Sequence, residues 1–77
     1  MPHFYFHTEN GERFADEDGI DLPDEDAARA EAVKVMGEIL THRAPTFWHT
    51  GVFKVIVMDA EQKPVVVLTA SAANAIN

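Results

Sequence analysis

The stretch Asp24–His42, DEDAARAEAVKVMGEILTH, leaves the chain little freedom in how it folds. Ala28, Ala32, Val35, Met36, Ile39 and Leu40 recur at the i, i+3, i+4, i+7 spacing of a helix with one buried face. Val33 sits at the edge of that arc, while Glu31, Lys34, Gly37 and Glu38 point to water. Pro23 disfavours the helical region for Leu22, and Asp24 can cap the first free backbone N–H groups. Asp24, Glu25 and Asp26 complement the positive end of the helix dipole, and His42 and Arg43 the negative end. Glu25–Arg29 and Glu38–His42 are i,i+4 pairs in the favourable order. Pro45 stops the helix. A helix over about 24–42 is therefore the expectation.

The flanking segments carry strand signals. His3–Thr8, HFYFHT, alternates Phe4 and Phe6 with His3, Tyr5 and His7. Asn10-Gly11 suits a two-residue type I′ hairpin loop, since both residues accept positive φ. That loop would place Thr8 opposite Arg13 and His7 opposite Phe14, so Phe14 would share a face with Tyr5 and His7. A bulge would undo this register; otherwise the sheet's second face is aromatic and partly covered, which is the expectation. Asp16–Asp21 reads as an acidic turn with Gly19 free to take positive φ, and Ile20 and Leu22 are expected to enter the core. Pro45–Gly51 is a loop carrying Phe47 and Trp48. In the third strand, Val52–Asp59, Phe53, Val55 and Val57 alternate with Val52, Lys54, Ile56 and Met58. Ala60–Lys63 turns, Pro64–Ala70 is the fourth strand, and Ser71–Asn77 is left to form a short helical turn or to fray. The expected fold is α+β: a two-layer ββαββ domain over 1–77, with one helix on one face of a four-stranded antiparallel sheet.

One helix covers one side. The other side would present Tyr5, Phe14, Val52, Ile56 and Met58 among His3, His7 and Lys54, a mixture suited to a contact surface. Size strengthens the point, because a 77-residue chain buries only about 60% of its unfolded surface. Small domains add disulfides, a metal or a partner. The chain has no cysteine, which excludes a disulfide and a thiolate zinc site and points to oligomerisation.

Met1-Pro2-His3-Phe4-Tyr5-Phe6-His7, the Asn10-Gly11 turn, Asp18-Gly19-Ile20-Asp21-Leu22-Pro23 and Ala27-Ala28-Arg29-Ala30-Glu31-Ala32 together resemble a family of short alphaproteobacterial proteins. That family is catalogued only as a domain of unknown function. The likeness covers the chain to about Ala32, and beyond it only the strand–turn–strand pattern. The family's second hairpin turns through a glycine, where this chain has Ala60-Glu61-Gln62-Lys63. The resemblance implies a bacterial, cytoplasmic, stand-alone domain and brings no activity, cofactor or catalytic residue with it.

Thirteen acids against six bases give a net charge of −7. The bases are scattered singly, which argues against direct nucleic-acid binding and against an anionic membrane surface. No apolar run reaches the ~20 residues of a membrane span, and no signal-peptide pattern opens the chain, so cytoplasmic residence is expected. His3 and His7 lie roughly 13 Å apart along a strand, too far to share one metal; His42 and His49 could approach each other. Pro2 removes the amide that an amino-terminal copper site would need. Asp16, Asp18, Gly19 and Glu25 match positions of a calcium-binding loop, but Phe14 stands where the first ligand should be. Asp16, Asp18 and Glu25 are thus the candidates for a weakly held calcium ion, against their reading as a solvated turn and cap.

Ser71 is the only serine, no glycine-rich phosphate loop occurs, and so small a chain hardly builds a concave site for paired carboxylates. No catalytic residue and no cofactor are expected. Interaction candidates are Tyr5, Phe14, Trp48, Val52, Ile56 and Met58, with Trp48 otherwise expected to close the core beside Phe47. The leading expectation is a non-catalytic interaction domain that self-associates, as a dimer, or binds another protein through its sheet. An antitoxin-like regulatory module with a basic partner is the alternative by fold analogy.

Overall fold

A computed structural model describes residues 1–75. The helix α1 runs Glu25–His42, and Asp24 caps it through a 2.8 Å bond from the Ala27 N–H. Arg29 pairs with Asp26 at 3.0 Å and, more loosely, with Glu25 at 3.6 Å. Ala28, Ala32 and Met36, one turn apart, form its buried line. The two alanines let the helix axis approach the sheet closely, and Gly37 and Val33 stay on the wet side.

The strands are β1 (His3–Glu9), β2 (Arg13–Phe14), β3 (Ile20–Asp21), β4 (Val52–Met58) and β5 (Pro64–Ser71). All pair antiparallel in the order β2-β1-β4-β5, with β3 also beside β1. The sheet therefore has five strands, where four were expected. The extra one is the end of the acidic turn, which pairs Ile20 with Phe4 and Asp21 with His3. Ile20 consequently sits in an edge strand, exposed, and does not enter the core; Leu22 does pack against it.

The helix lies over β4 and β5. Phe4, Phe53, Val55 and Val57 point toward it and are buried with Ala28, Ala32 and Met36. Phe6, Ile39, Leu40, Val66 and Leu68 close the margins. Each large apolar side chain buried here contributes about 1.5–3 kcal/mol, so this seam of strand and helix residues holds the two layers together.

Phe14 corrects the expected register. The hairpin loop has three residues, Asn10-Gly11-Glu12, and not two, so Phe14 pairs with Thr8 and Arg13 with Glu9. Asn10 spans the turn: its N–H donates to the Glu12 carbonyl at 3.1 Å and its side chain accepts the Glu12 N–H at 3.4 Å, while Gly11 takes φ 101°. One extra residue flips the following side chains. Phe14 therefore shares the helix side with Phe4 and Phe6, at a margin the helix does not reach, and leaves the second face to Tyr5, Val52, Ile56 and Met58.

Phe47–His49 forms one 3-10 turn. Phe47 packs on the core, whereas Trp48 is 57% exposed and meets Phe47 edge to face. Phe47, not Trp48, closes that end. Ala72–Ala75 carry no helix, and the remainder of the expected terminal turn lies outside the described residues.

Candidate functional site

The two edges of the sheet are built differently, and the polar residues of the amino-terminal third are gathered at one of them. Along β1 the backbone groups of Tyr5, His7 and Glu9 face β4, and those of Pro2, Phe4, Phe6 and Thr8 face outward. Each outward position is occupied. The Pro2 carbonyl accepts the Leu22 N–H at 3.0 Å, Phe4 pairs with Ile20, and Thr8 pairs with Phe14. Between the two short strands the chain bows away, and there the Phe6 N–H donates to the Asp16 carboxylate at 3.1 Å. A side chain completes the ladder where no strand can.

Asp16 is held from several directions. Its Oδ1 accepts the N–H groups of Asp18 at 3.2 Å and Gly19 at 3.1 Å, and its own N–H donates to His7 Nδ1 at 2.9 Å. Partial burial alone would raise the Asp16 pKa, but the Gly19, Phe6 and Asp18 N–H groups together hold it below the ordinary value of 3.8. Because Nδ1 of His7 is an acceptor, that ring carries its proton on Nε2. His7 is buried and lies parallel to the Tyr5 ring, centroids 6.4 Å apart.

His3 closes the other end of the bow. Its Nδ1 lies 2.6 Å from the Asp21 carboxylate and its Nε2 lies 2.7 Å from the Asp18 carbonyl. Both partners are acceptors, so both ring nitrogens must donate, which is the geometry of an imidazolium. The Asp21 hydrogen bond first, then the Asp18 carbonyl, raise the His3 pKa above 6.5. Gly19, at φ +67°, fits under this ring, since a Cβ there would lie 2.5 Å from His3 Nε2 and 2.7 Å from the Phe4 carbonyl.

This arrangement assigns most of the calcium-loop candidates. Both oxygens of Asp16 are engaged by backbone donors, and Glu25 lies along the helix beside Arg29. Among the described residues no three histidine or acidic side chains come together as a metal would require. In this arrangement Asp16 seals an edge.

The opposite edge is bare. The Ala72 N–H donates to the Gly51 carbonyl at 2.9 Å; by alternation the backbone groups of Ala70, Leu68 and Val66 also face β4, and those of Val67, Thr69 and Ser71 face outward. Among the described residues nothing pairs with them. Pro64–Ser71 contains no charged side chain, and no acid occurs after Glu61. The second face runs up to this edge: Val52, Ile56, Met58 and Tyr5 are half-buried there, Val67 is 58% exposed, and Lys54 stands opposite Glu9.

Spacing along the chain could not reveal one further feature, a cavity of about 200 Å³ at the carboxyl end of α1, floored by Phe47 and Phe53 and rimmed by Asn10, Arg43 and His49. It forms because the first hairpin's turn meets the 3-10 turn. Its volume is below the 300–1,000 Å³ of ordinary ligand sites, and the Thr46 and Thr50 hydroxyls beside it are spent on backbone carbonyls.

The profile of a family described as a domain of unknown function (DUF6894) matches residues 3–71, from the first residue of β1 to the last of β5. The chain belongs to the DUF6894 family. No curated protein and no solved structure matches it. Both edges lie within the matched DUF6894 span, the sealed one at its start and the bare one at its end. No helix among the described residues is long and apolar enough to cross a membrane.

Proposed function

We propose that this DUF6894 chain is a small non-catalytic cytoplasmic interaction domain that self-associates through its sheet, by pairing β5 with β5 of a second copy. The observation that carries this reading is the uncharged, unpaired β5 edge on a chain of net charge −7. An edge strand is a template for another strand, and proteins that stay monomeric blunt such edges with charges, proline or bulges. The only proline in β5 is Pro64, at its first residue, and its bulge lies beside Met58, so the stretch from Val66 onward is unblunted. A second copy fits better than an unrelated strand for two reasons. Antiparallel pairing of identical strands closes on itself by a two-fold axis, with the same patch on both sides. It also brings two acidic molecules together along a strand that carries no acid. Tyr5, Val52, Ile56 and Met58 then flank the joined sheet as its continuing apolar face.

Light scattering on a sizing column tests this. The wild type is expected at twice the chain mass, and Val67→Pro at the chain mass. Proline there removes an outward donor and no bond to β4, so helical circular dichroism should be kept. Ile56→Asp and Val52→Asp on the second face separate the surfaces: dissociation by these two but not by Val67→Pro would move the contact from the edge to the face. A wild type that stays monomeric at every concentration reached would end the self-association reading.

A further inference from the structure

We infer that His3 is a proton-operated latch on the sealed edge: its imidazolium pins the end of the acidic bow to β1, and loss of one proton releases β3. The geometry behind this is specific. The bow from Ala15 to Leu22 is anchored near its start by Asp16 and at its far end by only two residue pairs, His3–Asp21 and Phe4–Ile20, together with the Leu22 N–H to the Pro2 carbonyl. His3 adds to that far end two hydrogen bonds, one to each side of Gly19-Ile20. A neutral imidazole has one N–H and cannot make both. Deprotonation therefore leaves either the Asp18 carbonyl or the Asp21 carboxylate facing a ring nitrogen that no longer donates, at 2.7 or 2.6 Å.

The Asp21 hydrogen bond is the largest influence on His3 and favours the cation. Asp21 of β3 and Asp16 of the bow favour the cation by charge, the Asp18 carbonyl favours it by hydrogen bonding, and partial desolvation opposes it. On its own strand the neighbour is Tyr5, whose ring meets it edge to face at 5.0 Å. The folded-state pKa is raised, so the latch's contribution is complete below about 6.5 and fades as pH rises through the higher folded value. Opening would uncover the outward backbone groups of Pro2 and Phe4, which gives the sheet a second free edge. The sealed edge is thus conditionally sealed, independently of what pairs with β5.

Amide hydrogen exchange of Ile20 and Leu22, followed from pH 6 to pH 9 and corrected for hydroxide-catalysed exchange, tests the latch. The expected result is a fall in protection of roughly fivefold, the difference between a charge-assisted and a neutral hydrogen bond. Protection at Val55 and Val57 should stay level, which separates local opening from unfolding. His3→Gln, which does not titrate, should show low and pH-independent protection at Ile20 and Leu22. A pH dependence that survives in His3→Gln would assign the effect to a group other than His3 and overturn the inference. So would unchanged protection in the wild type.

Discussion

One sheet has two edges, and the chain treats them in opposite ways. At β1 each outward-facing residue from Pro2 to Thr8 is engaged, by two two-residue strands, one aspartate side chain that accepts the Phe6 N–H and one further amide. At β5 the outward groups of Val67, Thr69 and Ser71 have none among the described residues. The sealing takes up the chain from Arg13 to Leu22 and several of its acids; the bare edge contains no charge at all. An unsealed strand is a liability in a monomer and an interface in an oligomer. The difference teaches that sealing was available to this fold and was applied on one side only.

Removing the seal should give the largest effect. Asp16→Ala leaves the Phe6, Asp18 and Gly19 N–H groups without their acceptor, and an unsatisfied buried donor costs about 1–3 kcal/mol. With the Phe6 and Gly19 groups part-buried and the Asp18 group exposed, a loss of about 2–4 kcal/mol in denaturant unfolding is expected, with Asp16→Asn losing less. The same contribution depends on charge. The Asp16 pKa is lowered on folding, so its share is present above about pH 3.8 and is lost as pH falls through the lower folded value. A stability for Asp16→Ala equal to wild type would mean that the bow is not what closes this edge.

A smaller effect is expected at Gly19. An alanine there must tolerate φ +67° and a Cβ at 2.7 Å from the Phe4 carbonyl. Left-handed backbone alone costs about 1–2 kcal/mol for a residue with a Cβ, and the clash should displace His3 as well. Gly19→Ala should therefore lower the His3 pKa toward 6.5, read by NMR titration, besides destabilising the fold. An unmoved His3 titration would separate the glycine from the latch.

The hairpin that leads into the bare edge should respond in the opposite sense. Gln62 adopts φ +64°, a conformation that glycine takes without a Cβ clash, and Asp59 holds the turn by accepting the Glu61 and Lys63 N–H groups at 2.9 and 3.0 Å. Gln62→Gly should raise stability by about 1 kcal/mol. With self-association kept, that result would confine the strain to the turn and leave the edge untouched. A destabilised Gln62→Gly would show that the glutamine side chain supports the turn by some other contact.

Local rules made much of this molecule legible. Helix α1 follows from its periodicity, cap and terminal charges, because i,i+4 spacing and N-capping are decided within a few residues of backbone. The alternation of Phe53, Val55 and Val57 with Val52, Lys54, Ile56 and Met58 set the two faces of β4 for the same reason. Phe14 was misplaced because one residue of loop length inverts a strand, and Asn-Gly allows both lengths. Trp48 and Phe47 are adjacent in sequence and equally apolar; only the docking of the 3-10 turn chose between them. The histidines and acids of the first third read as scattered polar residues or a poor calcium loop, since their partners are 9 to 18 positions away in the chain.

Short-range patterning alone dictated the helix, the inward and outward residues of β4 and the absence of any charge along β5, all of which depend on neighbours within a turn or a pleat. Tertiary structure alone decided that His3, His7, Asp16, Asp18 and Gly19 meet, that they close one edge, and that β5 lies at the other. Strand order and side-chain hydrogen bonding between distant segments are set by which surfaces the core brings together, and no spacing rule along the chain encodes that.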